Sequence, residues 1–185
     1  MDSRTHLLPN DPGNGWSGPE NLSVESAVCH DAENLYLLAN VRDDIHFQNG
    51  KPGMLWAGDS IQLAIDSKAN ALPGVHNFDR DDYEFGFGLT PSGAQKELTG
   101  IYEIGRVKSA LDSVKCNIFR KGDLTCYRIA IPWKTMKLVP EKGMILGLNF
   151  TANDNDGHGI RFWMGPTPGI VETKNPYAYQ KFALE

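Results

Sequence analysis

The sequence has no run of about 18 apolar residues, so it contains no candidate transmembrane helix. Positive charge is also scarce: a formal net charge of -5 at pH 7 excludes the broad basic surface that nucleic-acid binding requires. Secretory leaders have a basic segment followed by an apolar one, and the first residues of this sequence do not show that pattern. We therefore expect neither a membrane nor a nucleic acid as partner, and we expect a domain taken from a longer chain.

Cysteine is rare, with only Cys29, Cys116 and Cys126, and no Cys-x-x-Cys pair is present. A structural zinc site is therefore not expected. The chain also lacks Gly-x-Ser-x-Gly, and no sequence pattern pairs its carboxylates. We predict that the chain is not an enzyme, although Asp59, Asp66 or Glu84 could still serve a glycoside-active domain.

Glycine and proline are plentiful, at 19 and 11 residues, and they fall between short runs of alternating apolar and polar residues. This pattern is typical of an all-β domain with many turns. We predict about nine or ten strands, no long helix, and an antiparallel β-sandwich of the jelly-roll-like or immunoglobulin-like two-sheet kind. A length of 185 residues suits one domain over 1–185, with an irregular segment at 1–15 and no clear strand before about Val24.

The clearest strand is predicted directly after Trp56, over the stretch Ser60-Ile61-Gln62-Leu63-Ala64-Ile65-Asp66. Apolar and polar residues alternate there with period two, which predicts one buried face and one face directed outward. The other predicted strands are about 24–30, 35–41, 81–89, 96–104, 111–119, 124–131, 144–152, 160–164 and 179–184, with one helical turn at 133–136.

Four tryptophans lie near predicted junctions of loops and strands: Trp16, Trp56, Trp133 and Trp163. An indole ring offers a large rigid surface for the apolar face of a sugar ring, although tryptophan is more often a core residue. Trp133 follows a strand of buried pattern and is expected in the core. Trp56 and Trp163 border loops rich in polar groups and are the better candidates for a binding surface.

The run Asn153-Asp154-Asn155-Asp156-Gly157 places oxygen donors close together before a glycine. Carboxylate and amide oxygens are the ligands that calcium prefers, so Asp154, Asn155 and Asp156 are candidate ligands. A solvated turn is an equal alternative. An EF-hand is excluded, because no glutamate follows at the twelfth position and the flanking residues read as strands.

A hairpin is predicted around Arg120-Lys121-Gly122-Asp123, with Gly122 in a left-handed conformation. If the turn is centred on Lys121, Cys116 and Cys126 lie opposite each other. A cross-strand disulfide and two free thiols are then both compatible with the sequence.

Several blocks of the sequence resemble family 9 carbohydrate-binding modules. They are 34–44, 56–66, Asp82-Tyr83-Glu84-Phe85-Gly86-Phe87, 127–133 and 153–157, in the order of the family. The resemblance implies a β-sandwich that binds sugars, holds a terminal sugar between two tryptophans and carries structural calcium. It further implies a monomeric, extracellular appendage of a larger secreted polysaccharide-degrading enzyme, such as a xylanase.

Under this resemblance, Trp56 and Trp163 match the two stacking tryptophans. Gln62 stands where some members have glutamate, and Glu84, Asn153 and Arg161 are further candidates for contacts with sugar hydroxyls. The expected partner is a plant or other polysaccharide or oligosaccharide. A rival hypothesis is a b-type haem-binding sandwich domain, with axial ligands drawn from Met54, Met164, His46 and His158.

Overall fold

A computed structural model describes residues 1–8, 16–51, 53–98, 111–171 and 173–185, with only the main chain of Arg4, Ile160 and Arg161. Eleven strands form two antiparallel sheets whose inner faces share one core, which confirms the predicted β-sandwich. The strands are β1 (Leu7–Leu8), β2 (Leu22–His30), β3 (Asn34–Asp43), β4 (Ser60–Asp66), β5 (Asp82–Thr90), β6 (Gly93–Leu98), β7 (Lys115–Lys121), β8 (Leu124–Pro132), β9 (Ile145–Asn155), β10 (Ile160–Met164) and β11 (Gln180–Ala183).

The seven-stranded sheet has the order β1-β10-β9-β4-β5-β6, and β11 pairs with the first part of β9. The four-stranded sheet has the order β2-β3-β8-β7. Single 3-10 turns lie at Arg4–His6, Leu55–Ala57, Trp133–Met136 and Pro176–Ala178, so the helical turn predicted at 133–136 is confirmed. Among the described residues, no helix is long and apolar enough to cross a membrane.

Strand β4 is buried on both faces, so the predicted outward face is wrong. Ile61, Leu63 and Ile65 enter the core between the sheets, as their spacing predicts. The opposite face lies beneath loops, because Ala64 packs in a second apolar cluster with Phe78, Ile170 and Tyr179. The polar side chains of β4 are therefore sheltered from bulk water and must be satisfied by neighbouring groups.

The core contains two of the four tryptophans. Trp133 is buried, as predicted, and its Nε1 donates to the carbonyl of Asp31 at 2.9 Å. Trp16 is also buried, and its Nε1 donates to the carbonyl of Leu22 at 3.0 Å. Burial of each large apolar side chain contributes about 1.5–3 kcal/mol, so these rings stabilise the sandwich and leave Trp56 and Trp163 for other roles.

The N-terminal segment is more regular than predicted. Leu7 and Leu8 pair with Met164 and Trp163 as β1, and β2 begins at Leu22. Residues 9–15 of the segment expected to be irregular lie outside the described residues. The predicted strand 96–104 is instead β6 up to Leu98, with 99–104 also outside them. Residues 111–114 precede β7 and do not belong to it.

The β7–β8 hairpin turns through Gly122 and Asp123, and Gly122 has the predicted left-handed conformation, with φ of +62°. Cys116 therefore faces Ile129, and Cys126 faces Phe119. The predicted opposition of the two cysteines is wrong, because the turn is centred later than Lys121 and the register shifts by three residues. All three cysteines are free thiols.

Asp66 and Asp82 lie opposite each other on β4 and β5. Burial raises the pKa of Asp82 to about 7, and the charges of Asp66, Asp79 and Asp81 act in the same direction. The folded state therefore holds a proton that the unfolded chain releases near pH 4. This contribution to stability is complete below about pH 4 and is lost as the pH rises through 7.

We predict that Asp82→Asn raises the melting temperature above pH 7 and has little effect near pH 4. The variant removes the part of the pH dependence of the unfolding free energy that comes from Asp82. This part is below about 1.4 kcal/mol per pH unit, because a half-buried group is partly screened by water. Asparagine keeps an acceptor for the Asp79 N–H, which Asp82 Oδ2 accepts at 2.7 Å. Melting curves from pH 4 to 9 in chelator test this, and parallel curves for the two proteins would contradict it.

Candidate sugar-binding site

Trp56 and Trp163 border the same cavity, which has a volume of about 440 Å³. Trp56 lies in the turn Leu55–Ala57, directly before β4, and 41% of its surface is exposed. Trp163 lies on β10, opposite Asn153 of β9, and is half-buried. The cavity is lined by Gly53, Trp56, Gln62, Glu84, Leu98, Trp163, Ile170, Val171 and Lys174. Its volume is within the range of about 300–1,000 Å³ that is typical of small-molecule sites.

A chain of hydrogen bonds fixes the polar floor of this cavity. Asn153 Nδ2 donates to Gln62 Oε1 at 3.1 Å and to Ser60 Oγ at 2.9 Å. Gln62 Nε2 donates to Glu84 Oε1 at 2.8 Å. The Gln62 amide is thereby held in one orientation, with its oxygen toward Asn153 and its nitrogen toward Glu84. The second N–H of this amide donates to no acceptor among the described residues, so it is available to a ligand.

Glu84 is 1% exposed, and Lys174 compensates its charge. Lys174 Nζ lies 2.7 Å from Glu84 Oε2 and 3.1 Å from the carbonyl of Ile170. A buried carboxylate without such a partner would be strongly unfavourable. The ion pair therefore places a positive charge beside the buried carboxylate and ties the loop that carries Ile170 to the floor of the cavity.

The loop after β10, described over 165–171 and 173–175, forms a third wall of the cavity that was not predicted from the sequence. Asn149 Nδ2, on β9, donates to the carbonyls of Thr167 and Pro168 at 2.8 and 3.1 Å. Lys174 stands in this loop and belongs to no strand, so alternation of residues gives no signal for it. Only the placement of the loop over Glu84 shows that Lys174 is part of the site.

Four of the six predicted sugar-binding residues line the cavity: Trp56, Trp163, Gln62 and Glu84. Asn153 does not line it and instead holds Gln62 from behind. Arg161 belongs to β10, and its side chain lies outside the described residues. The structure therefore brings together two aromatic rings and a network of amide, carboxylate and ammonium groups. This combination suits a ligand with apolar faces and hydroxyl edges.

A family model described as "Carbohydrate family 9 binding domain-like" matches residues 9–167. The chain belongs to this family. It is a non-catalytic carbohydrate-binding module, in agreement with the prediction that it is not an enzyme. The resemblance predicted from the sequence blocks is thereby confirmed.

The module is similar in sequence to endo-1,4-beta-xylanase A of Thermotoga neapolitana. The two are 29% identical over 153 residues, which are 80% of this chain but only 13% of the xylanase. In structure it resembles a family 9 module of Caldicellulosiruptor kristjanssonii, solved with cellotriose and with glucose. The TM-scores are 0.69 and 0.68, the identities 16% and 17%, and the matches cover 89% of this chain and 75% and 77% of those chains. These structural likenesses support the fold.

Acidic side chains form a second cluster in the module. Donor atoms of Asp43, Asp154 and Asp156 all lie within 4.8 Å of one another, as do those of Asp43, His46 and Asp59. Asp154 is fully buried, and Asp43 is 2% exposed. Burial raises the pKa of Asp43 to about 6, and the neighbouring charge of Asp59 contributes to this shift.

The donor set fits a calcium ion. Oxygens on opposite sides of a calcium ion are about 4.8 Å apart, because each lies about 2.3–2.6 Å from it. The predicted ligands Asp154 and Asp156 belong to this cluster. Arg120 Nη1 also lies 3.3 Å from Asp43 Oδ2 and supplies part of the compensating charge. The pair Asp43-Asp44 is recognisable in the sequence as a carboxylate cluster, but its proximity to Asp154 and Asp156 is not, because Asp43 comes from β3 in the other sheet.

The third predicted ligand, Asn155, makes other contacts. Its Nδ2 donates to the carbonyl of Ala57 at 2.6 Å, and its Oδ1 accepts from the N–H groups of Gly157 and Gly159. Residues 153–155 are part of β9, so the predicted turn at 153–157 begins later, after Asn155. Asn155 thus links the acidic cluster to the turn that carries Trp56.

Met164, His46 and Asp59, three residues of the rival hypotheses, serve the fold, whereas the predicted haem ligands Met54 and His158 are exposed. Met164 is fully buried in the core, and His46 Nε2 lies 2.9 Å from the carbonyl of Leu89. Neither is presented to an open space as an axial haem ligand. Asp59 accepts from the N–H groups of Phe47 and Asn155 and shapes the turn before β4.

Proposed function

We propose that the module binds the end of a polysaccharide chain, with the terminal sugar in the cavity between Trp56 and Trp163. The observation that carries this proposal is that both rings line one cavity whose floor is the Gln62–Glu84–Lys174 network. The rings offer apolar surface to the C–H faces of a pyranose, and the network offers partners to its hydroxyls. A cavity of this size accepts one or a few sugar rings, which favours a chain end over a long chain interior.

The comparisons guide the choice of ligands for the test of this proposal. The similar module of Caldicellulosiruptor kristjanssonii was solved with cellotriose and glucose, and the relative of Thermotoga neapolitana is a xylanase. We therefore choose β-1,4-linked gluco- and xylo-oligosaccharides as ligands for the test. The module would act as a monomeric appendage of a larger, extracellular polysaccharide-degrading enzyme and would hold that enzyme on its substrate.

Calcium at the acidic cluster is the second part of the proposal. Asp43, Asp154 and Asp156 would hold the ion, which would offset the repulsion between their buried charges. Its function would be structural. The ion would fix the strand end that carries Asn155, and through Asn155 the turn of Trp56.

Calorimetric titration with cellotriose tests sugar binding. We expect an affinity in the micromolar to millimolar range, on the order of -4 to -8 kcal/mol, because each polar contact replaces one with water. Gln62→Ala is expected to weaken binding by about tenfold, since it removes a ligand donor and releases the Glu84 carboxylate. The control is Gln180→Ala, an exposed glutamine on β11 that does not line the cavity.

Two outcomes would contradict the proposal. The first is the absence of heat with every gluco- and xylo-oligosaccharide in the presence of calcium. The second is binding by the wild type that Gln62→Ala leaves unchanged, which would place the site on another face. A melting curve of each variant shows whether it is folded.

A further inference from the structure

The turn that carries Trp56 receives little support from its own sequence. It is a single 3-10 turn, Leu55–Ala57, and the residue before it, Met54, makes no capping hydrogen bond through its side chain. Short turns of this kind are seldom stable alone. The orientation of the Trp56 ring must therefore be set by groups from other parts of the chain.

Two buried polar side chains bind the main chain of Leu55, the residue before Trp56. Glu97 Oε1, on β6, accepts from the Leu55 N–H at 2.8 Å. Gln48 Nε2 donates to the Leu55 carbonyl at 2.8 Å and to the Asp59 carbonyl at 3.2 Å. Both side chains are at least nine-tenths buried. The peptide groups on either side of Leu55 are thus held from two directions.

Glycines leave the space that the side chains of Glu97 and Gln48 occupy. Gly86 lies opposite Glu97 in the β5–β6 pair, and a Cβ at Gly86 would lie 2.8 Å from Glu97 Cγ. A Cβ at Gly88 would lie 3.1 Å from Gln48 Nε2, and one at Gly58 would lie 2.8 Å from it. The Gly86-x-Gly88 spacing of β5 therefore leaves room for the groups that support the Trp56 turn.

Burial of a carboxylate at position 97 carries an unfavourable desolvation free energy. Glu97 Oε2 is buried and has no hydrogen-bond partner among the described residues. Burial raises the pKa of Glu97, and the charge of Glu84 adds to the shift, whereas the N–H groups of Leu55 and Gly53 lower it. A residue that only filled space here would be apolar. The Glu97 carboxylate is instead explained by its hydrogen bond from the main-chain N–H of Leu55 in the turn.

We propose that Glu97, assisted by Gln48, is a positioning residue that fixes the sugar-facing orientation of Trp56 through the main chain of Leu55. The effect of this positioning on sugar affinity rests on the proposed function, in which Trp56 stacks on a sugar. Stacking requires the plane of the ring to be set before the ligand arrives, since any ordering on binding reduces affinity. Glu97 and Gly86 then belong to the binding site without contacting the ligand.

The test uses 19F NMR of protein labelled with 5-fluorotryptophan, in which each of the four tryptophans gives one resonance. Trp56→Phe and Trp163→Phe assign the two resonances of the cavity. In Glu97→Ala we expect the Trp56 resonance to shift or broaden while that of Trp163 stays in place. The affinity for cellotriose should fall by about tenfold. Glu97→Gln keeps an acceptor for Leu55 N–H and is expected to restore most of both signals.

Two further variants separate positioning from a general loss of stability. Gly86→Ala displaces Glu97 without removing it, and the same shift of the Trp56 resonance is expected. Val24→Ala truncates a buried side chain of β2 in the four-stranded sheet, outside the acidic cluster, and should lower the melting temperature without moving that resonance. A Trp56 resonance that stays in place in both Glu97→Ala and Gly86→Ala would overturn the inference. If the resonance moves but the wild type binds no sugar, positioning stands and the proposed function fails.

Discussion

Replacement of Trp56 with alanine is expected to weaken the binding of cellotriose by roughly 30- to 150-fold in calorimetric titration. The indole forms part of the cavity wall, and among the described residues the one other aromatic side chain that lines the cavity is Trp163. Loss of its stacking surface should cost about 2–3 kcal/mol, or roughly 30- to 150-fold. If the wild-type affinity lies toward the millimolar end of the expected range, binding by the variant falls below what calorimetry detects.

The fold should tolerate this change. Trp56 is 41% exposed, unlike the buried Trp16 and Trp133, so its truncation creates no closed cavity in the core. We expect the melting temperature to fall by only a few degrees, since a surface substitution costs about 0.5 kcal/mol or less. A large drop in stability would indicate that Trp56 is a structural residue.

Phe119→Ala is the matched control for Trp56→Ala. Phe119 is 44% exposed, but it lies on β7 in the four-stranded sheet. It should retain wild-type affinity. Trp56→Phe should be intermediate, because a phenyl ring preserves part of the stacking surface. Retention of full affinity by Trp56→Ala would place the sugar elsewhere on the module.

The strands were predictable because their chemistry is local. Apolar residues at every second position, with glycine and proline between the runs, placed β3, β4, β5 and β8 close to their observed bounds. The exposure of β4 was not predictable in the same way. Alternation shows that Gln62 and Asp66 leave the core, but it does not show whether water or another part of the chain covers them.

The site was predictable only in part, for the same reason. Trp56 and Gln62 adjoin one strand, so their proximity is fixed by the local sequence. Glu97 is positioned by the register of β6 on β5, and Lys174 is positioned by a long loop. Neither position is determined by residues nearby in the sequence. The hairpin of Cys116 and Cys126 shows how sensitive register is, since a small displacement of its turn separated the two thiols.

Removal of calcium is the second change for which we expect a large effect. At 100-fold excess over its dissociation constant, an ion that binds only the folded state stabilises it by about 2.7 kcal/mol. For a domain of this size this corresponds to roughly 5–10 °C in melting temperature. We therefore expect EDTA to lower the melting temperature by that amount and added calcium to restore it. Equal melting temperatures in EDTA and in calcium would contradict the proposed ion.

Asp154→Asn distinguishes a bound ion from mere repulsion among carboxylates. The variant loses a charged ligand, so its melting temperature should no longer respond to calcium. In EDTA it should be more stable than the wild type, because one of the crowded buried charges is gone. The control Asp112→Asn, at an exposed position outside the cluster, should respond to calcium as the wild type does.

The same ion should affect the sugar site through Asn155. Asn155 is not one of the proposed calcium ligands. Its main-chain N–H donates to Asp59, and its side chain donates to the carbonyl of Ala57. Loosening of the cluster therefore reaches the turn of Trp56 directly. We expect EDTA to weaken cellotriose binding at temperatures well below unfolding, and Asn155→Ala to weaken it in the presence of calcium as well. An affinity that is independent of calcium while the melting temperature depends on it would confine the ion to a role in stability.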